Sequence, residues 1–81
     1  MKTKIYKVSY NEKWSYHDPK NEFDADAEDM VVSAKSAEEA IEKVRKDVLR
    51  ISFKDDDDPS VVYKVVGFEL TGVELKEVLD L

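Results

Sequence analysis

Acidic residues alternate along one segment in the first half of the chain. Glu22, Asp24, Asp26 and Glu28 occupy every second position, and on a β-strand such side chains share one face at intervals of about 6.6–6.8 Å. This acidic row suits a basic surface of a protein partner, or imitation of a nucleic-acid backbone as an alternative. Duplex DNA carries a charge every ~1.7 Å of its axis, so the row is several times sparser than the backbone it would imitate. We therefore expect the row to bind a protein partner.

Aromatic side chains form a second candidate surface close to the acidic row. They lie toward the tip of a predicted hairpin and are Tyr10, Trp14, Tyr16 and Phe23. Beyond the reach of a covering helix, such residues form an exposed patch for a partner or a second copy. The simpler interpretation, which we prefer, is that they pack on Leu75, Val78 and Leu79. Trp14 and Tyr16 nevertheless join the acidic row as the hypothetical partner-binding residues.

Catalytic chemistry has few residues to use. The only histidine, His17, precedes a predicted turn, and there is no cysteine for it to activate. Two glycines are too few for a glycine-rich phosphate loop. A calcium loop that begins at Asp55 would place Ser60 where glycine is required. We therefore expect no enzyme, no catalytic residue, no metal site and no cofactor, and leave open a weak attraction of cations to the four aspartates at 55–58.

Size and charge narrow the function classes. The 81 residues are predicted to form a single domain, 1–81, that is a monomer or a homodimer. Nineteen acidic against thirteen basic residues give a net charge of −6, which disfavours direct binding to nucleic acid or to anionic membranes. The absence of cysteine, of a signal-peptide pattern and of a long apolar run favours a cytoplasmic protein.

The segments that carry these residues read as a β-hairpin. Residues 4–16 alternate between apolar and polar, as a half-buried strand does, and residues 17–21 supply turn chemistry. In the second strand the apolar residues take odd positions up to Ala27 and even positions from Met30 onward. A strand changes parity in this way through one extra residue, so we predict a β-bulge between Ala27 and Met30. The register that we predict pairs Trp14 with Ala25 on one side of the bulge and Val8 with Val32 on the other, and it places Lys13 opposite Asp26.

A helix start follows the hairpin. Ser36 and Glu39 form the S-x-x-E capping box, in which the serine oxygen accepts the amide proton of the third helical residue. An apolar stripe then recurs at steps of three and four residues, through Ala37, Ala40, Ile41, Val44, Val48 and Ile51. The sequence predicts a helix whose stripe covers the hairpin.

The rest of the chain completes the predicted fold. The aspartates at 55–58 indicate a loop, residues 61–70 read as a strand, and residues 74–81 fit both helical and strand spacing. We choose a short terminal helix for this last segment. The predicted class is α+β: a two-layer ββαβ sandwich with strand order 2-1-3, a right-handed crossover, one helix on one face, and a short C-terminal helix or strand.

The sequence also resembles a known group of small proteins. KIYKV at residues 4–8, followed by an acidic second strand and VSAKSAEEAI at residues 32–41, is similar to DpnD/PcfM-like and related short proteins of phages and mobile elements. In these a β-hairpin ends in a V-x-A-x-S-x-E-E-A run that opens a helix. The resemblance covers roughly residues 4–50. It implies a fold and a mobile-element origin, with no activity and no functional residue.

Together these features predict a small acidic interaction protein without catalytic activity. It is expected to bind a protein partner through its hairpin, and the resemblance implies a phage or mobile-element origin. The alternatives are an inhibitor that mimics nucleic acid and binds a basic protein, or a structural protein that forms oligomers.

Overall fold

The structure is a computed structural model that describes residues 2–16, 18–25 and 27–80. In chain order its elements are β1 (Lys2–Tyr16), β2 (Asp18–Asp24), β3 (Glu28–Ala34), α1 (Ala37–Val48), β4 (Ser52–Lys54) and β5 (Val62–Asp80). All pairings are antiparallel, and the sheet order is β2-β1-β5-β4, with β3 also paired to β1. Because β5 takes one edge of β1 along its whole length, β2 and β3 follow each other along the other edge.

The predicted fold class is wrong. In place of a ββαβ sandwich of three strands in the order 2-1-3 with an additional short helix, the described residues form one five-stranded antiparallel sheet with a single helix. The predicted strand 61–70 and the predicted terminal helix are one continuous strand, β5, of 19 residues. A strand of three residues that the sequence did not predict, β4, lies between the helix and the aspartates at 55–58.

Regular bulges explain why the sequence did not predict β5 as one continuous strand. Its pairing with β1 shifts by one residue at three places, which leaves Val66, Thr71 and Lys76 without a partner. The apolar residues between these bulges are spaced alternately by three and two positions, and they are Val65, Phe68, Leu70, Val73, Leu75 and Val78. Each bulge restores the same face, so all six lie opposite alternate residues of β1. A 3-2 spacing resembles a helix over short windows, although the backbone is extended.

The hairpin contains the predicted extra residue, at a different place. Lys13 pairs with Asp24, and Tyr10 pairs with Glu28, so the stretch between Asp24 and Glu28 is one residue longer than the stretch it faces. The insertion of one residue is confirmed, but it lies between Asp24 and Glu28 and not between Ala27 and Met30. The predicted register is off by two residues, since Val8 faces Met30. The predicted pairing of Lys13 with Asp26 is therefore wrong, because Lys13 faces Asp24; Asp26 itself lies outside the described residues.

The helix begins as the sequence predicts. Ser36 is the N-cap in extended conformation, and its side chain accepts a hydrogen bond from the amide of Glu39 at 3.2 Å. The Glu39 carboxylate lies 3.3 Å from the ammonium of Lys43, one turn further along. Acidic residues occupy the first turn and basic residues the last, which complements the helix dipole.

The core lies between α1 and the middle of the sheet. Its buried residues are Tyr6, Val8, Tyr10, Ala34, Ala40, Val44, Val48 and Val65. The apolar stripe of α1 contributes three of these side chains, and the even positions of β1 contribute three more. We call this side of the sheet the helix face. Burial of these apolar side chains is the main source of stability in so small a chain.

Candidate functional site: an aromatic surface at one end of the sheet

Aromatic side chains from four strands meet on the helix face beyond the end of α1. The antiparallel register brings Trp14 opposite Phe23, Tyr16 opposite Tyr63, and Phe53 opposite Tyr63. Residues paired in this way share one face of a sheet. These five residues, from β1, β2, β4 and β5, are here called the aromatic surface.

The rings of this surface contact one another directly. Phe53 stacks on Tyr63 with ring centroids 5.0 Å apart, and Trp14 meets Phe53 edge-on at 5.7 Å. Tyr16 lies against Tyr63 at 5.2 Å. Such pairs add about 0.5–1.5 kcal/mol beyond the area they bury. The aromatic residues therefore hold one another in place without a covering helix.

Much of this surface stays in contact with solvent. Phe53 is 51% exposed, Phe23 46% and Tyr16 40%, whereas Trp14 and Tyr63 are half-buried. Three large aromatic side chains that are this exposed on one face form the kind of patch that marks interaction sites. The rigid ring contacts beneath them lower the entropy cost of holding them for a partner.

The structure brings together most, but not all, of the predicted aromatic group. Trp14, Tyr16 and Phe23 meet at the end of the sheet, whereas Tyr10 is buried in the core and stacks on Phe68 at 5.1 Å.

The preferred packing of the aromatic group on the terminal residues is wrong. Leu75, Val78 and Leu79 pair with the opposite end of β1, at Tyr6, Lys4 and Thr3. The aromatic residues pack instead on Phe53 and Tyr63.

The acidic row does not stay on one face. Phe23 pairs with Trp14 on the helix face, so Glu22 and Asp24, its neighbours, point to the opposite face. Glu28 pairs with the core residue Tyr10, which places it on the helix face. The extra residue between Asp24 and Glu28 causes this change. Asp26, the fourth member of the row, lies outside the described residues.

A structured acidic loop borders the aromatic surface. One carboxylate oxygen of Asp55 accepts the amides of Asp57 and Asp58, at 2.8 and 3.3 Å. Its other oxygen accepts the hydroxyl of Tyr63 at 3.3 Å. Partial burial, and then the charge and hydrogen bond of Asp55, raise the pKa of Tyr63 above its ordinary value. The Asp55 carboxylate thus connects the acidic loop to the aromatic surface through the hydroxyl of Tyr63.

A buried carboxylate orients the tryptophan from the core side. Glu12 is 8% exposed and accepts a hydrogen bond from the indole nitrogen of Trp14 at 2.7 Å. It also accepts the hydroxyl of Tyr10, whose pKa is raised by burial first and then by the charges of Glu12 and Glu28. Glu12 thereby links the core to the aromatic surface.

Sequence reasoning missed three residues of this site. Phe53 and Tyr63 belong to the site because β4 pairs with β5. β4 has only three residues, which is too short for an alternating pattern that would predict a strand. Glu12 gave a usable signal, because it stands at an even position between Tyr10 and Trp14, where every neighbour faces inward. An acid at such a position has to find hydrogen-bond donors.

Among residues 2–16, 18–25 and 27–80, no three His, Cys, Asp or Glu side chains converge as ligands for an ion. Within the same ranges no helix has the length and apolar character needed to cross a bilayer.

No protein-family model matches the chain, and no curated protein or solved structure matches it significantly.

Proposed function

We propose that this chain is a small, non-catalytic, cytoplasmic interaction protein that binds a protein partner through the aromatic surface. The observation that carries the proposal is the exposure of Tyr16, Phe23 and Phe53 on one face that α1 leaves uncovered. Aromatic anchors of this kind supply much of the binding free energy at protein interfaces. The hairpin of the sequence-based hypothesis thus contributes three of the five residues, and β4 and β5 contribute the others.

The charge around the surface defines the chemistry of the partner. The loop with aspartates at 55–58 adjoins Tyr63, and the whole chain carries a net charge of −6. A basic side chain placed over an aromatic face gains a cation–π attraction, and nearby carboxylates strengthen it. The fitting partner is therefore a segment with an apolar side chain next to arginine or lysine.

A peptide selection with a matched variant tests the proposal. Peptides displayed at random are selected on the wild-type protein and depleted on Phe53→Ser, which removes the most exposed ring of the surface. We expect the enriched sequences to place an apolar residue next to arginine or lysine. Their affinity for Phe53→Ser should be lower than for the wild type by about tenfold or more. Titration of a selected peptide, followed by Trp14 fluorescence, measures both affinities.

The control is Val31→Ser, because Val31 is 61% exposed on β3, away from the aromatic surface. This variant should bind the selected peptides like the wild type. Peptides that bind Phe53→Ser as tightly as the wild type would place the contact elsewhere and refute the proposed surface.

A further inference from the structure

A buried carboxylate holds the tryptophan of the aromatic surface. Glu12 lies two residues before Trp14 on the same face of β1, is 8% exposed, and accepts the indole N–H at 2.7 Å. The hydroxyl of Tyr10 donates a second hydrogen bond to the same side chain. No lysine or arginine in the described part of the chain forms an ion pair with Glu12. Because a buried carboxylate needs hydrogen-bond donors, these two neutral groups are bound to it firmly.

Trp14 in turn supports the most exposed ring of the surface. Its indole meets Phe53 edge-on at 5.7 Å, and Phe53 stacks on Tyr63 with ring centroids 5.0 Å apart. Phe53 belongs to a strand of only three residues, so its ring depends on these two contacts for its position. Tyr63 is fixed by Asp55 of the acidic loop, whereas Trp14 is fixed by a group on the core side.

An aromatic side chain that is already fixed binds a partner more tightly than a mobile one. Ordering of side chains at an interface opposes association, and this entropy cost falls when the free protein already holds them in the bound arrangement. Glu12 supplies this order without touching the partner, because its side chain is buried and bonded to Tyr10 and Trp14. Its effect on affinity should therefore act entirely through the indole of Trp14.

We propose that Glu12 is a positioning residue of the aromatic surface, which sets the affinity of that surface for its partner by fixing the indole of Trp14. This role rests on the proposed function, since it concerns the same surface. Removal of the carboxylate leaves the indole free to turn, and the contact with Phe53 loosens with it. We expect Glu12→Ala to bind the peptides selected on the wild type about fivefold more weakly.

A double-mutant cycle on peptide affinity tests this role. Trp14→Phe keeps an aromatic ring but removes the N–H that Glu12 holds. Glu12→Ala should weaken binding about fivefold in the wild-type background and by less than about twofold in the Trp14→Phe background. Fluorescence anisotropy of a dye-labelled selected peptide measures all four affinities, since it does not depend on Trp14. A purely structural loss would give the same factor in both backgrounds.

Glu12→Gln separates positioning from charge. Its amide oxygen still accepts the indole N–H, so this variant should bind the selected peptides within about twofold of the wild type. The near-ultraviolet circular dichroism of Trp14 in the free protein, which reports a fixed indole, should be retained in Glu12→Gln and reduced in Glu12→Ala. Far-ultraviolet circular dichroism checks that each variant is folded. Glu12→Met, which fills the space without an acceptor, replaces Glu12→Ala in every measurement if the alanine variant is unfolded.

Glu69→Ala is the matched control for the loss of charge. Glu69 is an exposed acid on β5 that pairs with Asn11 on the opposite face of the sheet. The variant loses the same charge as Glu12→Ala but nothing that holds Trp14. Its peptide affinity should stay within about twofold of the wild type, and its tryptophan signal should be unchanged.

Three results would overturn the positioning role: wild-type affinity in Glu12→Ala, an equal loss in both backgrounds of the cycle, or a tryptophan signal that Glu12→Ala leaves unchanged. Peptides that depend on Phe53 but not on Glu12 would remove this role and leave the proposed function intact. Peptides that bind Phe53→Ser as tightly as the wild type, or a selection that enriches none, would refute both.

Discussion

The two ends of the β1–β5 ladder differ in what they leave uncovered. At the aromatic surface, β2 and β4 flank the ladder, so the strands there are paired and only side chains face solvent. Along the second half of β5, which carries the partly exposed Leu70, Val73, Leu75 and Val78 and is here called the aliphatic edge, no strand among the described residues pairs with the outer side. The first end presents side chains above a paired backbone, and the second presents an unpaired strand edge. One short helix, which covers only the middle, creates both.

The largest expected effect comes from a substitution in α1, the helix that covers the middle of the sheet. Val44 lies fully buried at the centre of α1, above Tyr6, Val8 and Tyr10. Val44→Asp places a carboxylate among apolar side chains without a partner, which should cost about 4 kcal/mol or more. In so small a domain this is enough to unfold most of the population. Urea unfolding followed by circular dichroism measures the loss.

Val31→Asp is the matched control for Val44→Asp, because the same substitution then falls on a valine that is 61% exposed. Its effect should stay within about 0.5 kcal/mol. Equal losses from the two variants would mean that α1 does not cover the core as described.

A smaller loss of stability is expected when Glu12, which links the core to the aromatic surface, is removed. Glu12→Ala removes the acceptor for both the Trp14 indole and the Tyr10 hydroxyl, and unfolding should become easier by about 1–3 kcal/mol. The pKa of Tyr10 should fall toward its ordinary value of 10.0, although burial will keep it above that value. Denaturant unfolding and a titration of phenolate absorbance measure the two effects.

Glu22→Ala is the control for Glu12→Ala, since it removes an exposed acid that forms an ion pair with Lys13 at 4.0 Å. It should change stability by less than about 0.5 kcal/mol and leave the Tyr10 titration unaltered. A Tyr10 pKa that does not move in Glu12→Ala would show that burial alone sets it.

Local patterns predicted the parts of the fold that depend on neighbouring residues. The capping serine at 36, the stripe of α1 and the alternation of β1 are each decided within a few positions, and the structure has all three. The extra residue in the second strand also showed in the sequence, because a change of parity requires it. Its exact place depends on the register with β1, which is a long-range property.

The terminal strand and the site depended on such long-range pairing. Bulges at Val66, Thr71 and Lys76 exist only relative to β1, so the 3-2 spacing had no meaning until the partner strand was known. Phe53 and Tyr63 likewise became neighbours of Trp14 through pairing across the sheet. The sequence could therefore predict part of the aromatic group but not the surface that it forms.

The prediction with the smallest expected effect compares the two glycines of β5. A β-carbon at Gly72, beside the aliphatic edge, would meet nothing within 4 Å, whereas one at Gly67, toward the aromatic surface, would lie 3.0 Å from the β-carbon of Lys13. Gly72→Ala should stabilise the fold by about 0.5–1 kcal/mol, because alanine loses less backbone freedom on folding.

Gly67→Ala gains the same stabilisation from reduced backbone freedom, but its β-carbon must displace the β-carbon of Lys13, which is attached directly to the backbone and cannot move easily. We expect it to be less stable than Gly72→Ala by about 1 kcal/mol, measured by thermal unfolding. Equal stability of the two variants would mean that β1 and β5 are no more closely packed toward the aromatic surface than beside the aliphatic edge.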